Sequence, residues 1–135
     1  MTSTCIFCKI AKKEITSKMI AENKLAIAFL DVDPISDGHT IIIPKRHVRD
    51  LSSCDTKTLN AVIELAHKVS NLLKDSYLQP WGFNYLSNEG NIAGQIVMHF
   101  HIHIIPKYGK NEGFKLSIGH KYVDKVENVY KKLIK

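Results

Sequence analysis

Residues 98–107 read "MHFHIHIIPK", where His99, His101 and His103 alternate strictly with Phe100, Ile102 and Ile104. Strict alternation is the signature of an extended strand, whose successive side chains point to opposite faces. The run therefore asks for a two-faced sheet. Phe100, Ile102 and Ile104 enter a core, while the three imidazoles share the other face about 6.6–6.8 Å apart. A solvated polar face would be filled as well by Thr, Lys or Glu. A single metal ion gripped by all three rings is disfavoured, because next-but-one residues of a flat strand diverge too far for zinc–nitrogen bonds of about 2.0–2.1 Å. What remains is a row of imidazoles with separate tasks along one groove.

The other segments supply the rest of that sheet. "KIAKKE" reads as a short helix after a cysteine knuckle. "MIAENKLAIAFLDVD" reads as a hairpin turning at Glu22-Asn23, and "HTIIIPK" as a buried strand ended by Pro44. Asp55 is a good N-cap for a long helix running to about Tyr77, with Leu59, Val62, Ile63, Ala66, Val69 and Leu73 at helical spacing. "FNYLSN" gives a fourth strand and "NEGNIAG" a loop. "QIVMHFHIHIIP" makes the fifth and longest strand, ended by Pro106. A terminal helix follows over about Val123 to Leu133. Five strands with few helices and an early hairpin predict an α+β fold with a mainly antiparallel sheet.

With 135 residues, this reads as one domain, 1–135, with a core over about 5–114 and a tail with its helix over 115–135. The net charge of +6 suits phosphate-bearing partners. The lysines are scattered rather than striped, which argues against nucleic acid. No run approaches the roughly 18 apolar residues of a membrane span, and "MTSTCIFCKI" has no secretory pattern. Cytoplasm is the expected location. Cys5-x2-Cys8 in such a chain points to metal or redox chemistry before a disulfide, a reduced unligated pair being the alternative. Cys54 reads as a small half-buried residue.

Three motifs in order, "CIFCKIAKKEI", "AFLDVDPISDGHTIIIPKRH" and "NEGNIAGQIVMHFHIHIIPKYG", make the chain resemble the histidine triad family of nucleotidyl hydrolases and transferases over roughly residues 5 to 114. The resemblance implies five antiparallel strands per subunit and a homodimer in which two sheets join. It implies a nucleophile at His101, a phosphate and leaving-group contact at His103, and a supporting role for His39, which on its own reads equally well as a structural histidine. It further implies phosphate donors at Asn88 and Gln95, a close backbone approach at Gly94, and a ribose-binding carboxylate at Asp31. Ile6, Phe7, Ile10, Phe29 and Val32 would wall the base pocket, although taken singly each reads more simply as core. A structural zinc held by Cys5, Cys8, His47 and His99 is implied, with no metal needed for catalysis.

Two departures qualify the implied activity. Ile96 stands where many relatives carry Ser or Thr, so one side-chain donor to phosphate is missing or replaced by backbone N–H. The single tryptophan, Trp81, lies before the fourth strand, whereas the Hint branch has one near its C-terminus. The chain is closest in character to a microbial, zinc-knuckle-bearing branch related to Hint. The leading expectation is hydrolysis of nucleoside 5′-phosphoramidates or other AMP conjugates through a covalent His101 adduct. A dinucleoside polyphosphate hydrolase of the Fhit kind, and a zinc-stabilised nucleotide-binding adaptor with little turnover, stay open beside it.

Overall fold

Asp55 starts the longest helix as its residue type demands: the carboxylate accepts the Thr58 N–H at 3.1 Å and neutralises an orphan donor of the first turn. In the computed structural model, which describes residues 4–135, that helix is α2, Thr56–Lys74. It is preceded by α1, Ile6–Ala11, and the strands β1, Met19–Glu22, β2, Ala26–Leu30, and β3, Thr40–Pro44. After it come β4, Gly82–Leu86, a single 3-10 turn at Asn91–Ala93, β5, Ile102–Lys107, and α3, Val126–Leu133. The strands form one fully antiparallel sheet in the order β1-β2-β3-β5-β4. The expected α+β class and its five-stranded sheet are present.

Alternation sorts the two faces. Ala26, Ala28, Ile42, Phe100, Ile102 and Ile104 pack with Val62, Leu65, Val69 and Leu73 of α2. Ile27, Phe29, Ile41 and Ile43 turn to the opposite face and meet Phe7 and Ile10 of α1. α2 therefore covers one side of the sheet, and α1 covers part of the side that carries the imidazoles.

Local chemistry shifts several boundaries from the sequence expectation. α1 begins at Ile6, inside the knuckle rather than after it, because Cys5 is its N-cap and its Sγ accepts the Cys8 N–H. The hairpin turns one residue later than expected. Glu22 stays in β1, and Asn23 builds the turn by accepting the N–H groups of Leu25 and Ala26 on Oδ1, a local bond that asparagine makes readily. α2 stops at Lys74, and α3 starts at Val126.

β5 departs most. It begins at Ile102, not near Gln95, and runs through Pro106 to Lys107. The ladder with β3 ends at the Ile42–Ile102 pair; beyond it the Phe100 N–H goes to the Val48 carbonyl and the Pro44 carbonyl accepts from the His99 ring. At its other end β5 extends past Thr40, where only β4 remains beside it, so a residue lacking an N–H is tolerated.

Phe100 is fully buried at the centre of the α2-side core, whereas Val32 is 93% exposed. Phe100→Ala is expected to cost about 3–5 kcal/mol, read as a lowered urea midpoint, while Val32→Ala should stay within about 0.5 kcal/mol.

Candidate functional site

Two clusters of side chains meet on the α1 side of the sheet. In the first, Cys5 and Cys8 flank the start of α1, His47 follows β3 and His99 precedes β5. Their ligand atoms all lie within 4.8 Å of one another. The Cys5 Sγ is 3.4 Å from His99 Nδ1; the Cys8 Sγ is 3.5 Å from the same atom and 3.2 Å from His47 Nδ1. A tetrahedral ion with metal–sulfur and metal–nitrogen bonds of ordinary zinc length would set sulfur–nitrogen edges of about 3.5 Å. The tautomer fits as well. His99 Nε2 lies 2.9 Å from the Pro44 carbonyl, so it carries the proton and leaves the Nδ1 lone pair facing the sulfurs, the arrangement that metal-bound histidines use. These four residues can hold a metal ion.

The second cluster holds the other two triad histidines with His39 and Asp31. The Ile35 N–H donates to His39 Nδ1 at 3.1 Å, so neutral His39 keeps its proton on Nε2. That atom is 2.9 Å from His103 Nδ1 and 3.6 Å from Asp31 Oδ2. His103 must then accept at Nδ1 and present Nε2–H as a neutral donor. His101 has the reverse arrangement: its Nδ1–H donates to the His99 carbonyl at 2.8 Å, which leaves a lone pair on Nε2. The rings of His101 and His103 are 4.9 Å apart, and Phe7 sits edge-on to His101 at 5.0 Å.

Asp31, His39 and His103 also lie within ligand distance of one another, but their tautomers argue against a metal. To coordinate through Nε2, His39 would have to move its proton to Nδ1 and confront the Ile35 N–H, losing that bond.

Burial keeps the row uncharged. It lowers the pKa of His39 and of His101, and drives His99 and His103 down to about 4. For His103, the neighbouring His101 and His39 add to the burial effect. Neutral imidazole is the form that attacks phosphorus or binds a metal.

The loop after β4 is tightly organised. Gly94 has φ +104°, and a Cβ there would lie 3.0 Å from Asn88 Nδ2, so only glycine suits the position. Asn88 Nδ2 itself donates to the Gly94 carbonyl at 3.3 Å. Gln95, expected as a phosphate donor, is turned inward and is 2% exposed. Its Oε1 accepts the Gly90 N–H at 2.9 Å; its Nε2 donates to the carbonyls of Arg49, at 2.7 Å, and Val97, at 3.1 Å. Both amide protons are used, so none remains for a ligand. The side chain of Ile96 projects into solvent.

The residues expected to wall a base pocket divide. Phe7, Ile10 and Phe29 are buried in the α1-side core, whereas Ile6 is half-exposed and Val32 stands in solvent. Sequence reasoning passed over Glu89 and Ser52, which pair through the Glu89 carboxylate, and Ser87, whose hydroxyl donates to the His101 carbonyl at 2.7 Å. A signal existed for Glu89: a carboxylate inside a loop meant for phosphate must direct its charge elsewhere.

The HIT domain model matches residues 12–110 of this chain. The chain belongs to the HIT domain family. A similar HIT protein, the adenosine 5′-monophosphoramidase of Schizosaccharomyces pombe, is 40% identical across 86% of this chain and 82% of its own length. The crystal structure of a HIT family protein from Bacillus anthracis superposes with a TM-score of 0.87 at 36% identity, covering 99% of this chain and 95% of that one. A zinc-bound histidine triad family protein from Mycobacterium smegmatis gives a TM-score of 0.77 at 30% identity, over 84% and 83% of the two chains. Among the described residues of this HIT protein, no helix is long and apolar enough to cross a membrane.

His103 has a folded pKa near 4 against about 6.5 in an unfolded chain, so between these values the unfolded state binds the extra proton. Stability from this group is therefore complete above about pH 7 and lost as pH falls toward 4. Between pH 7 and 5 the parent protein should lose roughly 1–2 kcal/mol more than His103→Gln, measured as paired urea midpoints.

Proposed function

We propose that this chain is a nucleotidyl hydrolase that cleaves nucleoside 5′-phosphoramidates or related AMP conjugates at the α-phosphorus through a covalent adduct on His101. The observation that carries the reading is the tautomer of His101. With Nδ1–H tied to the His99 carbonyl at 2.8 Å and the ring held neutral by burial, Nε2 is a fixed, uncharged nucleophile. The phosphoramidase activity of the fission yeast relative supports the choice of substrate class.

Attack by that lone pair forms a phosphorus–nitrogen bond to His101 as the bond to the leaving group breaks. The leaving group departs with a proton that the His103–His39 pair, neutral in the free protein, takes up from solvent as the phosphate binds and raises its proton affinity. Water then attacks phosphorus, breaks the bond to His101 and returns a proton to the pair. The Nε2–H of His103 would donate to the leaving group, and His39 keeps it in that tautomer. Asp31 would accept from the ribose hydroxyls, as a carboxylate suits a cis-diol. Gly94 and the backbone around it would border the phosphate.

His101→Ala is expected to lower cleavage of an adenosine phosphoramidate by at least about 10³-fold, while AMP affinity in calorimetry stays within a few-fold. Trapping a nucleotidyl adduct on the intact parent, absent in the variant, is the mass-spectrometric counterpart. A variant as fast as the parent sinks the assignment. Initial rates on diadenosine tri- or tetraphosphate, set beside the phosphoramidate rate, decide between the two hydrolase readings.

Zinc is the ion proposed for the Cys5, Cys8, His47 and His99 cluster. Two sulfurs and two nitrogens make a closed set, so when bound it supplies structural cross-linking rather than chemistry. Freshly purified protein is expected to contain about one zinc per chain, and Cys5→Ser/Cys8→Ser essentially none, by elemental analysis.

A further inference from the structure

The segment that follows β3 is fastened to the loop and strand of the active site at three successive points. The Val48 carbonyl accepts the Phe100 N–H, the Arg49 carbonyl accepts from Gln95 Nε2, and Ser52 gives both its N–H and its hydroxyl to the Glu89 carboxylate. The same segment carries His47, a member of the sulfur–imidazole cluster. On the loop side the fastening is internally complete. Gly90 and Gln95 are joined twice: the Gln95 backbone N–H goes to the Gly90 carbonyl at 3.0 Å, and the Gly90 N–H goes to Gln95 Oε1.

A glutamine that touched a ligand phosphate would have to release a proton from the Arg49 or Val97 carbonyl and leave that group without a partner. A glutamate facing a ligand phosphate would repel it. Here the side chains of Glu89 and Gln95 reach the neighbouring segment instead, and Ser52 takes up the carboxylate charge.

We propose that Gln95, Glu89 and Ser52 are positioning residues that brace the phosphate-receiving loop against the His47 segment, so that the loop's shape is set from outside the site. This rests on the reading that residues 88–97 receive the phosphate of a nucleotide. The brace acts on phosphate recognition alone. None of the three side chains belongs to the α1-side core, which the brace meets only through the Val97 carbonyl, and none bonds to Asp31, where the nucleoside would lie. Disturbing it therefore separates AMP from adenosine, which share a nucleoside and differ in the phosphate. General loosening of the fold would weaken both ligands together.

The test uses the full chain with its native metal content, and calorimetric affinities for AMP and for adenosine. Ser52→Ala and Glu89→Gln should each weaken AMP by about three- to tenfold and leave adenosine within about twofold. The double variant should be no weaker than either single one, because the two residues form one link. Gln95→Met, which keeps the volume and removes every polar contact, should weaken AMP by about tenfold or more, and kcat/KM on an adenosine phosphoramidate should fall in step.

If Gln95→Met loses AMP while Ser52→Ala and Glu89→Gln are unchanged, Gln95 acts by direct contact and the brace is wrong. Equal weakening of AMP and adenosine also overturns it, as does an unchanged AMP affinity in all three variants. Should Gln95→Met fail to fold, the Ser52 and Glu89 variants decide alone. A parent protein that binds neither ligand removes the nucleotide reading itself, and the brace's role with it.

Discussion

The bond from the His99 ring to the Pro44 carbonyl holds the functional half of this molecule in place. Pro44 ends β3, and from that point the sheet ladder gives way to a side chain. His99 Nε2–H occupies the carbonyl at 2.9 Å, which turns Nδ1 toward Cys5 and Cys8. The backbone carbonyl of the same residue accepts from His101 Nδ1 at 2.8 Å. One fully buried residue thereby selects the tautomer used by the sulfur cluster and the tautomer of the proposed nucleophile. Two chemically unlike sites become neighbours because they share a hinge residue, and neither can be moved without the other.

Hydrogen-bond direction, more than proximity, separates these sites. Both groups of side chains place imidazole nitrogens within reach of anionic or sulfur ligands. His99 donates to a carbonyl and so exposes a lone pair to its cluster, whereas His39 receives a backbone N–H and so exposes a proton to His103. A backbone group at Pro44 and another at Ile35 thus determine which face of each ring does chemistry. Burial reinforces both choices by disfavouring the doubly protonated form.

Much of this was legible in the chain itself. Alternation from His99 to Ile104 correctly divided imidazoles from core, because period two survives even where the ladder does not. Asp55 announced a helix cap that the structure forms, and the Cys5-x2-Cys8 spacing announced thiols that the structure gathers with two imidazoles. What escaped were pairings between segments far apart in sequence. The length of β5 depended on where β3 stops, a relation no local pattern carries. The inward turn of Gln95 depended on the Arg49 carbonyl, 46 residues away. α1 begins earlier than its sequence suggests because a cysteine capping a helix is a weaker propensity signal than serine or aspartate would be.

The contrast between the two clusters has a practical corollary for handling the protein. An excess of divalent transition metal offered during reconstitution meets one set of rings with lone pairs turned inward to sulfur, and another whose Nε2 proton is guarded by the amide of Ile35. His99 and His39 thus stand ready for opposite partners, one offering electrons to a cation and the other a proton to a base, although both rings lie on the same side of one sheet.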